Sequence, residues 1–307
     1  MDEHYSRGCM IVQTLSTPLY APQDIASEIE REVRLALEAV ENPLGTGQFI
    51  SNNTECFKLT KYKPTRCVMN MADFISQTFE KKLHNSYNWE RQYKSLDQKI
   101  DAYKEFEFSG SAYQVDADNF RKLVFDYWDN SNIEYEKILA FIQEIWGMYV
   151  QRAKFNISGL PEQYHQYFIR ASEEDKKIAR VGLEFETGNI SSSFRSFMKL
   201  NFLFVNNIID FGVFVTTNKE AAHSIWPSSN RNSTFEELAK RKYKATFRFP
   251  LWEFCYIPDG YSKQAKFLNR DGTLYELRDT EEIHVYNRRN YRVYIRGTSE
   301  EILIPEN

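Results

Sequence analysis

Near the start of the chain, Ile25, Ile29, Val33, Leu35, Leu37 and Val40 form an apolar stripe with Glu and Arg opposite, which predicts a helix over 22–41. Met71, Phe74, Ile75, Phe79 and Leu83 repeat the period and predict a second helix over 70–92. The strongest helical pattern runs over 132–154, through Tyr135, Ile138, Leu139, Ile142, Ile145, Trp146 and Tyr149, and ends before Gly159-Leu160-Pro161. The period then shortens. Residues 180–187 alternate as a strand does, 190–207 return to a helix apolar on more than one face, and 208–216 (IIDFGVFVT) read as a buried strand. Residues 245–257 are β-rich. Asn269-Arg270-Asp271-Gly272 is a turn signal between Phe267-Leu268 and Leu274-Tyr275, and Val285-Tyr286 matches Tyr291–Ile295 in pattern.

Strands buried on both sides and interspersed with helices predict an α/β fold: a central mixed sheet flanked by helices on both faces. No Pro/Gly/Ser-rich linker divides the 307 residues, which favours one elaborated domain. With 19 Tyr and 23 Phe, disorder is excluded as the main character of the chain. No apolar run approaches the ~18 residues that span a bilayer, and the charged N-terminus is no signal peptide, so no membrane role and a cytoplasmic location are expected. Cys9, Cys56, Cys67 and Cys255 lack C-x-x-C spacing and read as reduced thiols. A net charge of −4 argues against a nonspecific nucleic-acid coat, though Lys240, Arg241, Lys242 and Lys244 form a local basic cluster.

Candidate chemistry sits at the strand-to-helix passage Val181–Lys199, VGLEFETGNISSSFRSFMK. Alternation puts Glu184 and Glu186 on one face and Leu183 and Phe185 on the other. Like charges about 7 Å apart repel unless a hard cation with a taste for oxygen sits between them. Taken alone, a Glu-x-Glu is more often a solvated strand face.

The longer string resembles the BamHI-type type II restriction endonucleases, at Glu184 to Ser192, Arg195, Lys199 and Leu200. Ile209-Asp210 and Asn230-Arg231 followed by Phe235-Glu236-Glu237-Leu238 extend the likeness downstream. Asn52–Glu55, Tyr87-Asn88-Trp89 and Ile100–Phe106 extend it upstream, and Ile257–Gly260 is a weaker match, so the resemblance spans roughly 48–263. It implies a nuclease core over 1–263 with a helical insertion at about 107–167, and a β-rich addition over 264–307.

The resemblance implies a homodimer that cuts double-stranded DNA at a short palindrome with a GATC core, using Mg2+, beside a cognate DNA methyltransferase. Asp101 takes the place of the central metal ligand, with Glu184 and Glu186 completing the catalytic set; read locally, Asp101 is a helix-start cap before Ala102. Glu186 stands where the wider fold has Lys, and is suited to act as general base or further ligand. A further Glu of the family falls at Gln92, so the fourth metal-site residue is Gln92 or Glu90. Asn189, Ser191, Arg195, Asn230, Arg231 and Asp259 match the DNA-contacting positions, with Asn230 replacing an acid and so altering the outer base pair. Two competitors stand beside this reading: a catalytically impaired DNA-binding protein, and a plain core strand and helix with solvated carboxylates.

Overall fold

The computed structural model describes residues 10–16, 20–61, 63–67, 72–109, 113–131, 136, 146–170, 176–186, 190–225, 233–241, 247, 249–269, 271–274 and 276–306. Its centre is a six-stranded sheet of Met10–Ser16 (β1), Glu90–Arg91 (β2), Ala102–Ser109 (β3), Lys176–Phe185 (β4), Phe211–Thr217 (β5) and Leu251–Ile257 (β6). The spatial order is β1-β6-β5-β4-β3-β2. β4, β5 and β6 run parallel, and β1 and β3 flank them antiparallel, which makes the sheet mixed.

The strands' alternation feeds two apolar layers. Ala179, Val181, Leu183 and Phe185 of β4, with Phe211, Val213 and Val215 of β5, face one side. There they meet Ile25, Ile29, Val33 and Leu37 of helix α1 (Gln23–Glu38) and Phe74, Ile75, Phe79 and Leu83 of α2 (Ala72–Tyr87). Phe214 and Leu251 face the other side, against Phe197, Leu200, Leu203 and Phe204 of a helix at Ile190–Val205. Each such side chain fully withdrawn from water contributes roughly 1.5–3 kcal/mol. This is the α/β arrangement, with helices on both faces, that the burial pattern anticipates.

Several elements depart from the pattern. Of the helical stretch expected over 132–154 the described residues include α4 (Gly147–Phe155), while residues 132–135 and 137–145 lie outside them, and a helix not anticipated from the pattern, α3 (Ala117–Ser131), precedes it. α3 starts where Asp116 Oδ1 accepts from the backbone N–H groups of Asp118 and Asn119, both at 3.1 Å. With α5 naming the Ile190–Val205 helix, α6 (Lys219–Ile225) and α7 (Phe235–Arg241) complete the helices used here.

Nor does a helix run from 70 to 92. α2 stops at Tyr87, Asn88 turns left-handed at φ 59°, and the chain reverses into β2. The local reading of Asp101 as a helix cap also fails, because Ala102–Ser109 is a strand, with Phe106 and Phe108 inward and Glu105 and Glu107 outward.

Trp89 anchors the reversal. It is fully buried, its Nε1 donates to Glu32 Oε2 at 2.7 Å, and its ring stands edge-on to Phe106 at 5.8 Å. Lys104 Nζ donates to the other Glu32 oxygen at 2.7 Å. Trp89→Phe keeps a ring in the core but removes the donor to a buried carboxylate, so a loss of about 1–3 kcal/mol is expected in chemical denaturation. An unchanged denaturation midpoint would count against the bond.

A second, five-stranded sheet orders Leu277–Tyr286, Arg289–Arg296, Glu300–Pro305, Cys56–Leu59 and Pro64–Cys67. The C-terminal strands therefore share their sheet with a hairpin from the first quarter of the chain. The turn at Asn269–Gly272 forms as expected, with Asn269 N–H donating to Thr273 O at 2.7 Å. Gly272 is required there: its φ is +86°, and a Cβ would stand 2.6 Å from the Phe74 ring. Among the described residues no helix is long and apolar enough to cross a membrane. Cys56, Cys67 and Cys255 are free thiols, and Cys9 lies outside the described residues.

Candidate active site

Glu184 and Glu186 stand at the carboxyl end of β4, on the face that α5 covers. Both are buried, at 3 % and 5 % exposure. The helix answers them with one polar face. Ser192 Oγ donates to Glu186 Oε1 at 3.0 Å, Ser196 Oγ donates to Glu184 Oε2 at 2.8 Å, and Lys199 forms an ion pair with Glu184 Oε1. Positions 192, 196 and 199 are four and three residues apart, the spacing that stacks side chains along one helix face. That spacing was visible in the sequence, but only the fold shows that it meets the carboxylates.

Asp101 reaches the same end of the sheet from the first position before β3. Its N–H donates to Leu183 O at 3.1 Å, and its Oδ2 accepts from Phe185 N–H at 2.8 Å. The carboxylate thus lies beside the peptide that joins Glu184 to Phe185. Burial raises the Asp101 carboxyl above its usual range, against the pull of the Phe185 N–H and of Lys199 and Lys99. Burial, then the Asp101 charge, pushes the Glu184 carboxyl up to about 8, with Lys199 and Ser196 opposing. These are carboxylates held close in a desolvated place, with one ammonium balancing them.

The donor set fits a hard divalent cation, which takes oxygen ligands and would replace Lys199 as the balancing charge. Among the described residues no three Asp, Glu, His or Cys side chains converge on one point as they stand. Glu184 is turned to Lys199, and Glu186 to Ser192. Lys199 is itself tethered, donating to Lys99 O at 2.9 Å.

At the fourth position the side chains sort clearly. Glu90 is exposed on β2. It is Gln92 whose backbone N–H donates to Asp101 O at 2.8 Å, and its Nε2 donates at 3.3 Å to Glu80 Oε2, on buried Glu80 of α2. Sequence reasoning did not single out Glu80.

Of the residues matched to DNA contacts, Ser191 and Arg195 lie exposed on the first turns of α5. Arg195 lines a groove of about 510 Å³ with Gln98, Ser192, Ser196 and Lys199, the last three of which contact Glu184 or Glu186. Asp259 is half-buried and spends one oxygen on Phe49 N–H at 2.8 Å, while its own N–H donates to Phe49 O at 2.9 Å. Asn189, Asn230 and Arg231 lie outside the described residues.

Behind the site, Asp210 locks β4 to the start of β5. Fully buried, it receives Arg180 through Nε at 3.0 Å, Nη2 at 2.9 Å and the backbone N–H at 2.9 Å, with Lys154 Nζ at 3.6 Å. Its role here is structural.

Residues 166–262 match the family described as restriction endonuclease BamHI. A curated relative, the type II restriction enzyme BamHI of Bacillus amyloliquefaciens, is 39% identical over 80 residues, covering 26% of this chain and 34% of that enzyme. The aligned part thus spans about a third of the relative's length. β4, α5 and β5 lie inside the family match. Glu80, Gln92 and Asp101 lie outside it and join the site through the fold.

Proposed function

From this BamHI-type segment at residues 166–262, we propose that the chain is a site-specific deoxyribonuclease that hydrolyses double-stranded DNA with Mg2+. The observation that carries the reading is the buried Glu184 and Glu186 at the end of β4 with Asp101 bonded beside them, contacted by Ser192, Ser196 and Lys199 of a groove that Arg195 also lines. Asp101 and Glu184 would hold the ion, with Glu186 as a further oxygen donor. A bound divalent cation supplies Lewis acidity toward the scissile phosphate and a water of lowered pKa. Glu186, which accepts from the Ser192 hydroxyl, would take a proton from the attacking water. Lys199 sits where it can move from Glu184 to an incoming phosphate oxygen.

DNA reading falls to Asn189, Ser191, Arg195, Asn230, Arg231 and Asp259. Arg195 is suited to guanine O6 and N7, and an Asn to adenine. α5 is apolar on its outer side as well: Phe194, Met198, Phe202 and Val205 are 40 %, 48 %, 42 % and 60 % exposed. A second copy packed on that stripe would give a two-fold dimer matched to a palindrome. Such an enzyme would act in the cytoplasm beside a DNA methyltransferase of the same specificity. Gln92 favours one other reading, a DNA-binding protein with impaired catalysis, since an amide supplies no charge to the metal site.

The test is cleavage of plasmid DNA in Mg2+, with sequencing of the ends and a parallel binding assay. Cuts at a palindrome with a GATC core are expected. The outer pair should depart from strict G·C, because a changed contact worth ~1–3 kcal/mol shifts site choice about tenfold or more. Ends without a GATC core would remove the base-reading assignment, and binding without cleavage in either Mg2+ or Mn2+ would favour the impaired reading.

A further inference from the structure

We propose that Glu80 supplies the negative charge that residue 92 lacks, acting on the Asp101 end of the site from beside the Gln92 amide. The inference rests on the nuclease reading above and extends it to a residue outside the family match, on helix α2.

Gln92 is held in place by its backbone. Its φ is 53°, its N–H donates to Asp101 O at 2.8 Å, and β2 just before it pairs with the start of β3. Its side chain donates to Glu80 Oε2 at 3.3 Å. A Glu at 92 would set a carboxylate against that of Glu80 with no proton to offer, a repulsive arrangement. Gln92 and Glu80 therefore read as an exchange: the charge moves from the β2 reversal to the facing helix, and the backbone bond of Gln92 keeps it beside Asp101.

Glu80 sits in a core stretch of α2. Its neighbours Phe79 and Leu83 are core residues, and it is itself buried at 6 % exposure. Burial raises its carboxyl above the usual range, and the Asp101 charge raises it further, so the two carboxylates feel each other. One cation offsets it: Arg91 Nη2 at 3.3 Å, from the same reversal. A carboxylate buried at this cost beside Asp101 is matched to a further positive charge, which a divalent ion at Asp101 and Glu184 would provide. Glu80 is thus a positioning residue. It tunes the site's charge and fixes Gln92 without touching the reacting atoms.

The experiment measures Mn2+ affinity of the full chain by calorimetry without DNA, beside Mg2+-dependent cleavage and thermal unfolding. Glu80→Gln preserves shape and is expected to weaken Mn2+ binding by about ten- to a hundredfold, the effect of removing an outer partner of a metal ligand. Glu80→Gln combined with Gln92→Glu returns the charge to residue 92 and should recover the affinity to within a few fold. Arg91→Ala removes the ion pair but not the carboxylate, and should keep or tighten Mn2+ binding. Parental affinity in Glu80→Gln, failure of the double variant to recover, or a loss in Arg91→Ala equal to that of Glu80→Gln would each overturn the proposal. Asp101→Asn separates the two levels. If it abolishes Mn2+ binding while Glu80→Gln does not, only the Glu80 role falls; if it binds Mn2+ like the parent, the metal-site reading falls as well.

Discussion

Asp101→Asn is expected to fold like the parent, to bind its DNA site as well or better, and to lose cleavage by roughly 10²–10³-fold or more, the scale of removing one electrostatic stabiliser of a transition state. The fold survives because an Asn oxygen can still accept the Phe185 N–H, the contact that ties β3 to the end of β4. Binding survives because a carboxylate facing a phosphate repels it, by about 1 kcal/mol at 4 Å even at the dielectric of water. Glu184→Ala should behave alike in cleavage, and it also frees Lys199 for the phosphate. Mg2+-dependent cleavage by either variant at the parental rate would refute the assigned carboxylate set. Parallel circular dichroism separates loss of chemistry from loss of fold.

Asp210→Ala should be the most destabilising single change among the polar residues described here, costing about 3–5 kcal/mol. It leaves the Arg180 guanidinium without its bidentate partner, removes the acceptor of the Arg180 N–H, and deprives Lys154 of its counter-ion. Arg180 keeps a link to the Asn207 carbonyl and is about a quarter exposed, so the lower half of that range applies. Arg180 lies four positions before Glu184 on β4, so loosening this lock also loosens the register that aims the carboxylates. Chemical denaturation measures it, and a loss below 1 kcal/mol would show that water repairs the lock.

The two-faced strands were legible because each states its own period. Leu183 and Phe185 against Glu184 and Glu186 announce opposite faces, and the Phe211–Thr217 strand announces burial on both. The run Ala102–Phe106 was not legible. Ala, Lys and Glu favour helix locally, and pairing with β4 on one side and β2 on the other overrides that preference. Asp101 could be placed only through a likeness to other sequences, since a lone Asp before Ala carries no mark of a partner 83 positions away at Glu184. Glu80 was hidden for a related reason. Beside Phe79 on an amphipathic helix it reads as the edge of a wet face, and it is buried only because the left-handed turns at Asn88 and Gln92 fold Arg91 and Gln92 back over it.

The five-stranded sheet fixes the order of events in synthesis. Cys56–Leu59 has Pro64–Cys67 on one edge but finds its second neighbour only when Glu300–Pro305 exists, through Lys58 with Ile302 and Phe57 with Leu303. The central sheet waits too, because β1 is covered by β6, more than two hundred residues later. On a ribosome adding about 5–20 residues per second, both early edges stay bare for roughly ten seconds or more. Exposed strand edges invite pairing with other chains, so slow translation or high expression should favour aggregation of nascent chains over that of finished ones. A fragment that stops short of residue 251 holds β4 between β3 and β5 but leaves the outer edge of β5 bare and β1 unpaired.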